Sequence, residues 1–216
     1  MTLLQPFRRR ALGPMLGASH AALLLWPLAL AIGGCAAPAL RVTGIAVAKD
    51  ASFDLLSPSS LEQSVSLEQI VEARYGERAS SFHCLLEVDG NTLVLVGMTP
   101  FNTRAFTLTL ADDGFELDMA PGAELPADPS RILADLQLAL WPKLSSLRGL
   151  TERLGRSSTG ALMRELHRDG VPQIRITYAP GVQDLRSPWV GTLVFEHLEQ
   201  NYALSVRTVR AERLAP

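Results

Sequence analysis

Residues 82–98 read Phe82-His83-Cys84-Leu85-Leu86-Glu87-Val88-Asp89-Gly90-Asn91-Thr92-Leu93-Val94-Leu95-Val96-Gly97-Met98. Two apolar-rich runs flank Asp89-Gly90, a pair whose residues tolerate positive φ, so the segment predicts an antiparallel hairpin. The same punctuation returns twice. Asp113-Gly114 separates Arg104–Leu110 from Phe115–Met119, and Asp169-Gly170 separates Leu162–Arg168 from Gln173–Tyr178. Upstream, Val65, Leu67, Val71, Ala73 and Tyr75 share one side of a period-two register, which suits a strand. Gly191–His197 and Tyr202–Arg210 add two more runs, giving a meander of about nine strands.

One segment breaks the meander. Asp128-Pro129 supplies an N-cap and a proline at the first helical position. Ile132, Leu133, Leu136, Ala139 and Leu140 then recur at helical spacing until Trp141-Pro142, leaving Arg131, Asp135 and Gln137 on the other face. A second short helix is expected over Lys143–Leu154, followed by a linker at Gly155–Gly160. The fold class is therefore mostly β with helices (α+β): a curved antiparallel sheet, or half-open β-barrel, covered by helices. The helix either fills the concave side or brackets a lipid-sized cavity with the sheet, and the sequence fits both.

The chain has 216 residues, 47% of them hydrophobic, with 20 basic and 22 acidic side chains. A net charge of −2 provides no basic field for nucleic acid. Arg8, Arg9 and Arg10 precede the uncharged run Ala21–Ile32, which fits an export signal and is short for a membrane span. Ile32-Gly33-Gly34-Cys35 resembles the bacterial lipobox, so cleavage is expected before Cys35, with diacylglycerol and an N-acyl group on that cysteine. This divides the chain into a signal peptide (1–34), a lipidated N-terminus and tether (35–60) and a folded domain (61–216). Removing the three arginines leaves 17 basic against 22 acidic side chains, a net charge of −5. Ala36 follows the cysteine where the familiar inner-membrane retention signal would place Asp. The expected address is thus the outer membrane, lipid-anchored and facing the periplasm.

Little in the sequence suits catalysis. Gly155-Arg156-Ser157-Ser158-Thr159 stops short of a G-x-S-x-G elbow. His167 and His197 stand singly on expected strands without metal-ligand spacing, and no glycine-rich phosphate loop appears. His83 and Cys84 are consecutive on a strand and point to opposite faces, so they form no dyad. Cys84 is either a small buried hydrophobe or an odd reactive thiol. No enzyme, catalytic residue, metal or other cofactor is expected.

Leu93-Val94-Leu95-Val96-Gly97-Met98-Thr99-Pro100-Phe101, a second strand from Arg104, and Pro129-Ser130-Arg131-Ile132-Leu133-Ala134-Asp135-Leu136 running into Trp141-Pro142 resemble the LolB family, the outer-membrane receptors of the Lol lipoprotein-sorting pathway. With Leu86-Glu87-Val88-Asp89-Gly90 and the run Ile132–Pro142 added, the chain resembles more closely an uncharacterised family of bacterial lipoproteins, sometimes encoded beside aryl-polyene pathways. The resemblance covers about residues 65–210 and implies a half-open LolA/LolB-like barrel of about eleven strands with an apolar interior for acyl chains. It also implies a membrane- or ligand-contacting loop at Pro100 and Phe101, although a Phe folded onto its own sheet fits the sequence equally. Val94, Val96, Phe106, Leu108, Ile132, Leu136 and Trp141 are the candidate cavity lining; the same residues would serve a dry core. The implied function is to bind a lipid or acylated cargo and assist its transfer or insertion. Its partners would be outer-membrane lipid, acyl-chain or lipoprotein cargo and a periplasmic carrier protein. The alternative is a non-transporting envelope lipoprotein acting as an interaction or assembly factor.

Overall fold

The computed structural model describes residues 43–125 and 127–214, so the readings of 1–34 and of Cys35 lie outside the described residues. Among these residues the strands are β1 Ile45–Ala48, β2 Ala51–Phe53, β3 Val65–Tyr75, β4 Arg78–Asp89, β5 Thr92–Met98, β6 Arg104–Ala111 and β7 Gly114–Met119. Helix α1 Pro129–Leu140 follows, then β8 Leu147–Arg148, β9 Thr151–Arg156, β10 Leu162–Arg168, β11 Val171–Thr177, β12 Thr192–His197 and β13 Tyr202–Arg213. The fold is mostly β: one curved ten-stranded antiparallel sheet, ordered β7-β6-β5-β4-β3-β13-β12-β11-β10-β9, against a single α-helix. Strands β1, β2 and β8 make a small second sheet. Two meanders, β3–β7 and β9–β13, are joined where β13 pairs with β3, from Tyr202 opposite Tyr75 to Arg213 opposite Val65.

All three Asp-Gly sites turn hairpins, by different means. Asp169 and Gly170 are the two central residues, at φ 50° and 81°, the geometry for which Asp-Gly is suited. At the first site Asp89 pairs with Thr92, so the loop is Gly90-Asn91, with Gly90 at φ 54°. At the second, Ala111 pairs with Gly114 and the loop is Asp112-Asp113.

Three local expectations are corrected. Lys143–Leu154 holds β8 and the start of β9 rather than a helix. Leu144, Leu147, Leu150 and Leu154 mimic helical spacing, but Gly149 sits at φ 76° against the Asp50 backbone and breaks the run. Leu154, expected to be packed, is exposed on the edge strand β9. The stretch before residue 60, expected to be irregular, contains the β1–β2 hairpin, whose strands are too short for periodicity to show. Finally, Asp135 and Gln137 are buried although they face away from the apolar stripe of α1. The segment around Leu56 covers that side: Gln137 accepts from Leu56 N–H and donates to Leu56 O, both at 2.8 Å.

The helix is fixed at both ends. Asp128 Oδ1 accepts from Ser130 N at 2.9 Å and Arg131 N at 3.3 Å, a cap that contributes about 1 kcal/mol. At the other end, fully buried Arg164 on β10 donates to the carbonyls of Leu138 at 2.6 Å, Trp141 at 2.8 Å and Pro142 at 3.1 Å. Tyr178 donates to Ala139 O at 3.0 Å, so the carbonyls that helix geometry leaves unpaired are satisfied by side chains from the sheet. Glu152 balances the buried guanidinium at 2.7 Å from its Nε.

Candidate functional site

Strand alternation assigns the concave face. Leu93, Leu95 and Gly97 of β5 point inward, beside Cys84, Leu86 and Val88 of β4 and Phe106, Leu108 and Leu110 of β6. Most of this surface is closed against α1. In the middle it is not: a cavity of about 110 Å³ lies between the helix and the central strands. Its floor comes from β3, β4, β5, β6, β12 and β13, and its roof from Ile132, Asp135, Leu136, Ala139 and Leu140 of α1. Val71, Phe82, Ile132, Leu136, Leu204 and Val206 are only partly buried, so the cavity reaches the surface between the helix flank and the β3–β4–β13 side of the sheet.

One glycine shapes this space. A Cβ on Gly97 would come within 2.1 Å of the Phe106 ring, so the missing side chain is what lets Phe106 lie flat against β5 beneath the cavity. Cys84 also lines it; burial pushes its thiol up to about 12, leaving it protonated and unreactive at neutral pH. A wider depression of about 460 Å³, rimmed by Glu72, Arg74, Glu196 and Ser205, is polar and shallow by comparison.

Beside the cavity, the polar groups of α1 are tied to the sheet. Asp135 accepts from Arg131 Nε at 2.8 Å and from the Tyr202 hydroxyl at 2.5 Å. Arg131 donates to the Tyr202 oxygen at 2.7 Å and to Ala46 O at 2.8 Å. Burial pushes the Asp135 carboxyl up, against the opposing pull of Arg131 and of its two hydrogen bonds. Tyr202 stacks between Tyr75, at 5.3 Å, and His197, at 5.1 Å. His197 in turn donates from Nε2 to Val47 O at 2.6 Å and accepts from Gln200 N–H at Nδ1, 3.0 Å, which fixes its neutral tautomer.

The residues expected to line the cavity divide into three groups. Phe106, Ile132 and Leu136 surround it. Leu108 and Trp141 are fully buried elsewhere in the core, where Trp141 Nε1 donates to Ser60 Oγ at 2.8 Å. Val94 and Val96 are corrected: they lie on the convex face, opposite Thr109 and Thr107 of β6. Leu93-Val94-Leu95-Val96 is apolar on both faces, so alternation alone does not say which set points inward. The lining residues that were missed are Gln69, Cys84, Leu95, Leu193, Phe195 and Leu204. Alternation in β12, with Leu193 and Phe195 inward, was the available signal; it gains meaning only once β13 is known to pair with β3.

Pro100 and Phe101 occupy the β5–β6 turn. Asn102 N–H donates to Thr99 O at 2.9 Å, Asn102 lies at φ 57°, and the Thr99 and Thr103 hydroxyls are 2.7 Å apart. This braced turn leaves Phe101 88% exposed, so the ring does not fold back on its sheet. Among the described residues no helix is long and apolar enough to cross a membrane, and no cluster of three metal-ligating side chains occurs.

A family profile matches residues 66–210, which spans the large sheet and α1. The chain belongs to the DUF3261 family. That family is described as proteins of unknown function. No curated protein matches this DUF3261 member. Among solved structures it is similar to a LolA superfamily protein from Nitrosomonas europaea, at 12% identity and TM-score 0.36, over 74% of this chain and 96% of the other. A domain from Vibrio parahaemolyticus, proposed as an outer membrane lipoprotein-sorting protein, matches at 6% identity and TM-score 0.39, over 74% and 92% of the two chains. A DUF1329 family protein from Desulfovibrio piger matches at 8% identity and TM-score 0.29, over 72% and 88%.

Proposed function

We propose that this DUF3261 protein is an envelope lipoprotein, anchored to the outer membrane through diacyl and N-acyl groups on Cys35 and facing the periplasm. It holds an aliphatic chain of a lipid or acylated cargo between α1 and the sheet and assists its transfer or insertion, without catalysing a reaction. A periplasmic carrier protein delivers the cargo, and the turn at Pro100 and Phe101 touches the membrane or the ligand.

The observation that supports this reading is the cavity beneath α1. Its walls are aliphatic and aromatic apart from Gln69, Asp135 and the tyrosine hydroxyl, the pattern of a small-molecule site rather than of a water-filled defect. Its volume of about 110 Å³ is somewhat below the roughly 150 Å³ of an engineered apolar cavity that stays dry and takes up benzene. It therefore suits the terminal segment of a chain, with the rest leaving past the partly exposed Ile132, Leu136 and Phe82.

The test is native mass spectrometry of protein gently extracted from membranes. Added lipid mass beyond the covalent anchor is expected. Persistent absence of bound lipid, with no uptake of added medium-chain lipids, would overturn the carrier reading and favour an interaction or assembly factor. Cys35→Ser is expected to move the protein from the membrane to the soluble fraction; unchanged membrane retention would defeat the anchor.

A further inference from the structure

The cavity carries a polar group whose chemistry is not consumed by the fold. Gln69, on β3, is 4% exposed and lines the cavity. Its Nε2 donates to Thr208 Oγ1 at 3.1 Å, which fixes the amide, while its Oε1 has no hydrogen-bond donor among the described residues. A buried carbonyl oxygen without a donor loses about 1–3 kcal/mol relative to solvation, so an aliphatic side chain would be the less costly occupant of a position that served only as core. The nearest ionisable group on the lining is Asp135 across the cavity. Both of its oxygens accept hydrogen bonds and neither donates while it is ionised. Arg131, which pairs with it, is directed to Tyr202 and Ala46 and does not line the cavity.

The polar part of the lining is therefore built from acceptors. We infer that the cavity selects aliphatic chains whose inserted end bears an uncharged hydroxyl, which donates to Gln69 Oε1, over chains ending in a carboxylate. A methyl-terminated chain fits the walls and leaves Gln69 unpartnered. A carboxylate would bring a second acceptor to Gln69 and a second negative charge near Asp135. The inference rests on the chain-binding reading and specifies its ligand: a neutral hydroxyl-bearing lipid chain, entering hydroxyl first.

Calorimetric titration of the Cys35→Ser chain with three probes tests it. 1-Nonanol carries the hydroxyl; 1-methoxyoctane has the same number of heavy atoms and keeps the oxygen but lacks the donor; nonanoate at pH 8 carries the charge. In the unaltered site, 1-nonanol is expected to bind about five- to tenfold more tightly than 1-methoxyoctane, the range of one net hydrogen bond. Nonanoate is expected to be weaker than either. In Gln69→Leu the preference for the alcohol falls below twofold while 1-methoxyoctane binds at least as well as before. The comparison of the three probes in the unaltered site stands even if Gln69→Leu does not fold. Nonanoate binding as tightly as 1-nonanol, or equal affinity for alcohol and ether, would overturn the inference and leave the chain-binding reading intact. Failure of all three probes to bind would overturn both.

Discussion

Replacing Ala139 with leucine fills the cavity from the helix side. Ala139 lines the cavity, and its only polar contact, the bond from Tyr178 to its carbonyl, is a backbone contact that the substitution retains. Leucine has nearly the helix propensity of alanine, so the local backbone cost is small. A dry cavity of about 110 Å³, at about 24 cal/mol per Å³, corresponds to about 2.6 kcal/mol of unrealised packing. The three added carbon atoms, at about 0.8 kcal/mol each, give about 2.4 kcal/mol when fully accommodated. The two figures agree in scale, so Ala139→Leu is expected to raise the urea midpoint by an amount worth about 1–2.5 kcal/mol while abolishing uptake of aliphatic ligands. Chemical denaturation and native mass spectrometry on the same sample measure both. A variant destabilised by more than about 1 kcal/mol would show an already filled space, since overpacking carries that cost. A stabilised variant that still binds would place the ligand elsewhere.

Other parts of the account predict separate outcomes. Arg164→Leu leaves the carbonyls of Leu138, Trp141 and Pro142 and the Glu152 carboxylate without their donor, and is expected to cost about 3–5 kcal/mol; a loss under about 1 kcal/mol would show that the buried guanidinium does not secure the helix end. His197 is held below its usual value by burial, so the unfolded chain binds more protons than the folded one at mildly acidic pH. Stability is then complete above about pH 6.5 and falls as the pH drops below it; denaturation at pH 7.5 and pH 5 should show this decline, and His197→Gln should lessen it. Phe101→Glu should leave stability within about 0.5 kcal/mol, because the ring is exposed, while weakening sedimentation with phospholipid vesicles; an unfolded variant would contradict the exposed placement.

The features legible in the sequence are those set by neighbours in the chain. Asp-Gly pairs mark hairpins because a turn depends on a few consecutive residues, and Asp128-Pro129 marks α1 because a cap depends on the first helical turn. What was hidden depends on pairing across long stretches of chain. The face assignment of β5 is the clearest case: Val94 and Leu95 are both apolar and β-compatible, and only the registers with β4 and β6 turn Leu95 toward the cavity. The burial of Asp135 and Gln137 was hidden for the same reason, since a helix read alone gives no sign that the Leu56 segment and Tyr202 will meet its polar side. Gln69 looked like a break in strand alternation; in the sheet it keeps the alternation and carries an amide to the concave face.

The central claim, an aliphatic chain seated between α1 and the sheet, is tested most directly by nuclear Overhauser contacts in protein with labelled Ile, Leu and Val methyl groups. With 1-nonanol bound, contacts are expected from the chain protons to Leu95, Ile132, Leu193 and Leu204, and none to Val94 or Val96 on the convex face. Contacts to Val94 and Val96 without contacts to Leu95 and Ile132 would contradict it.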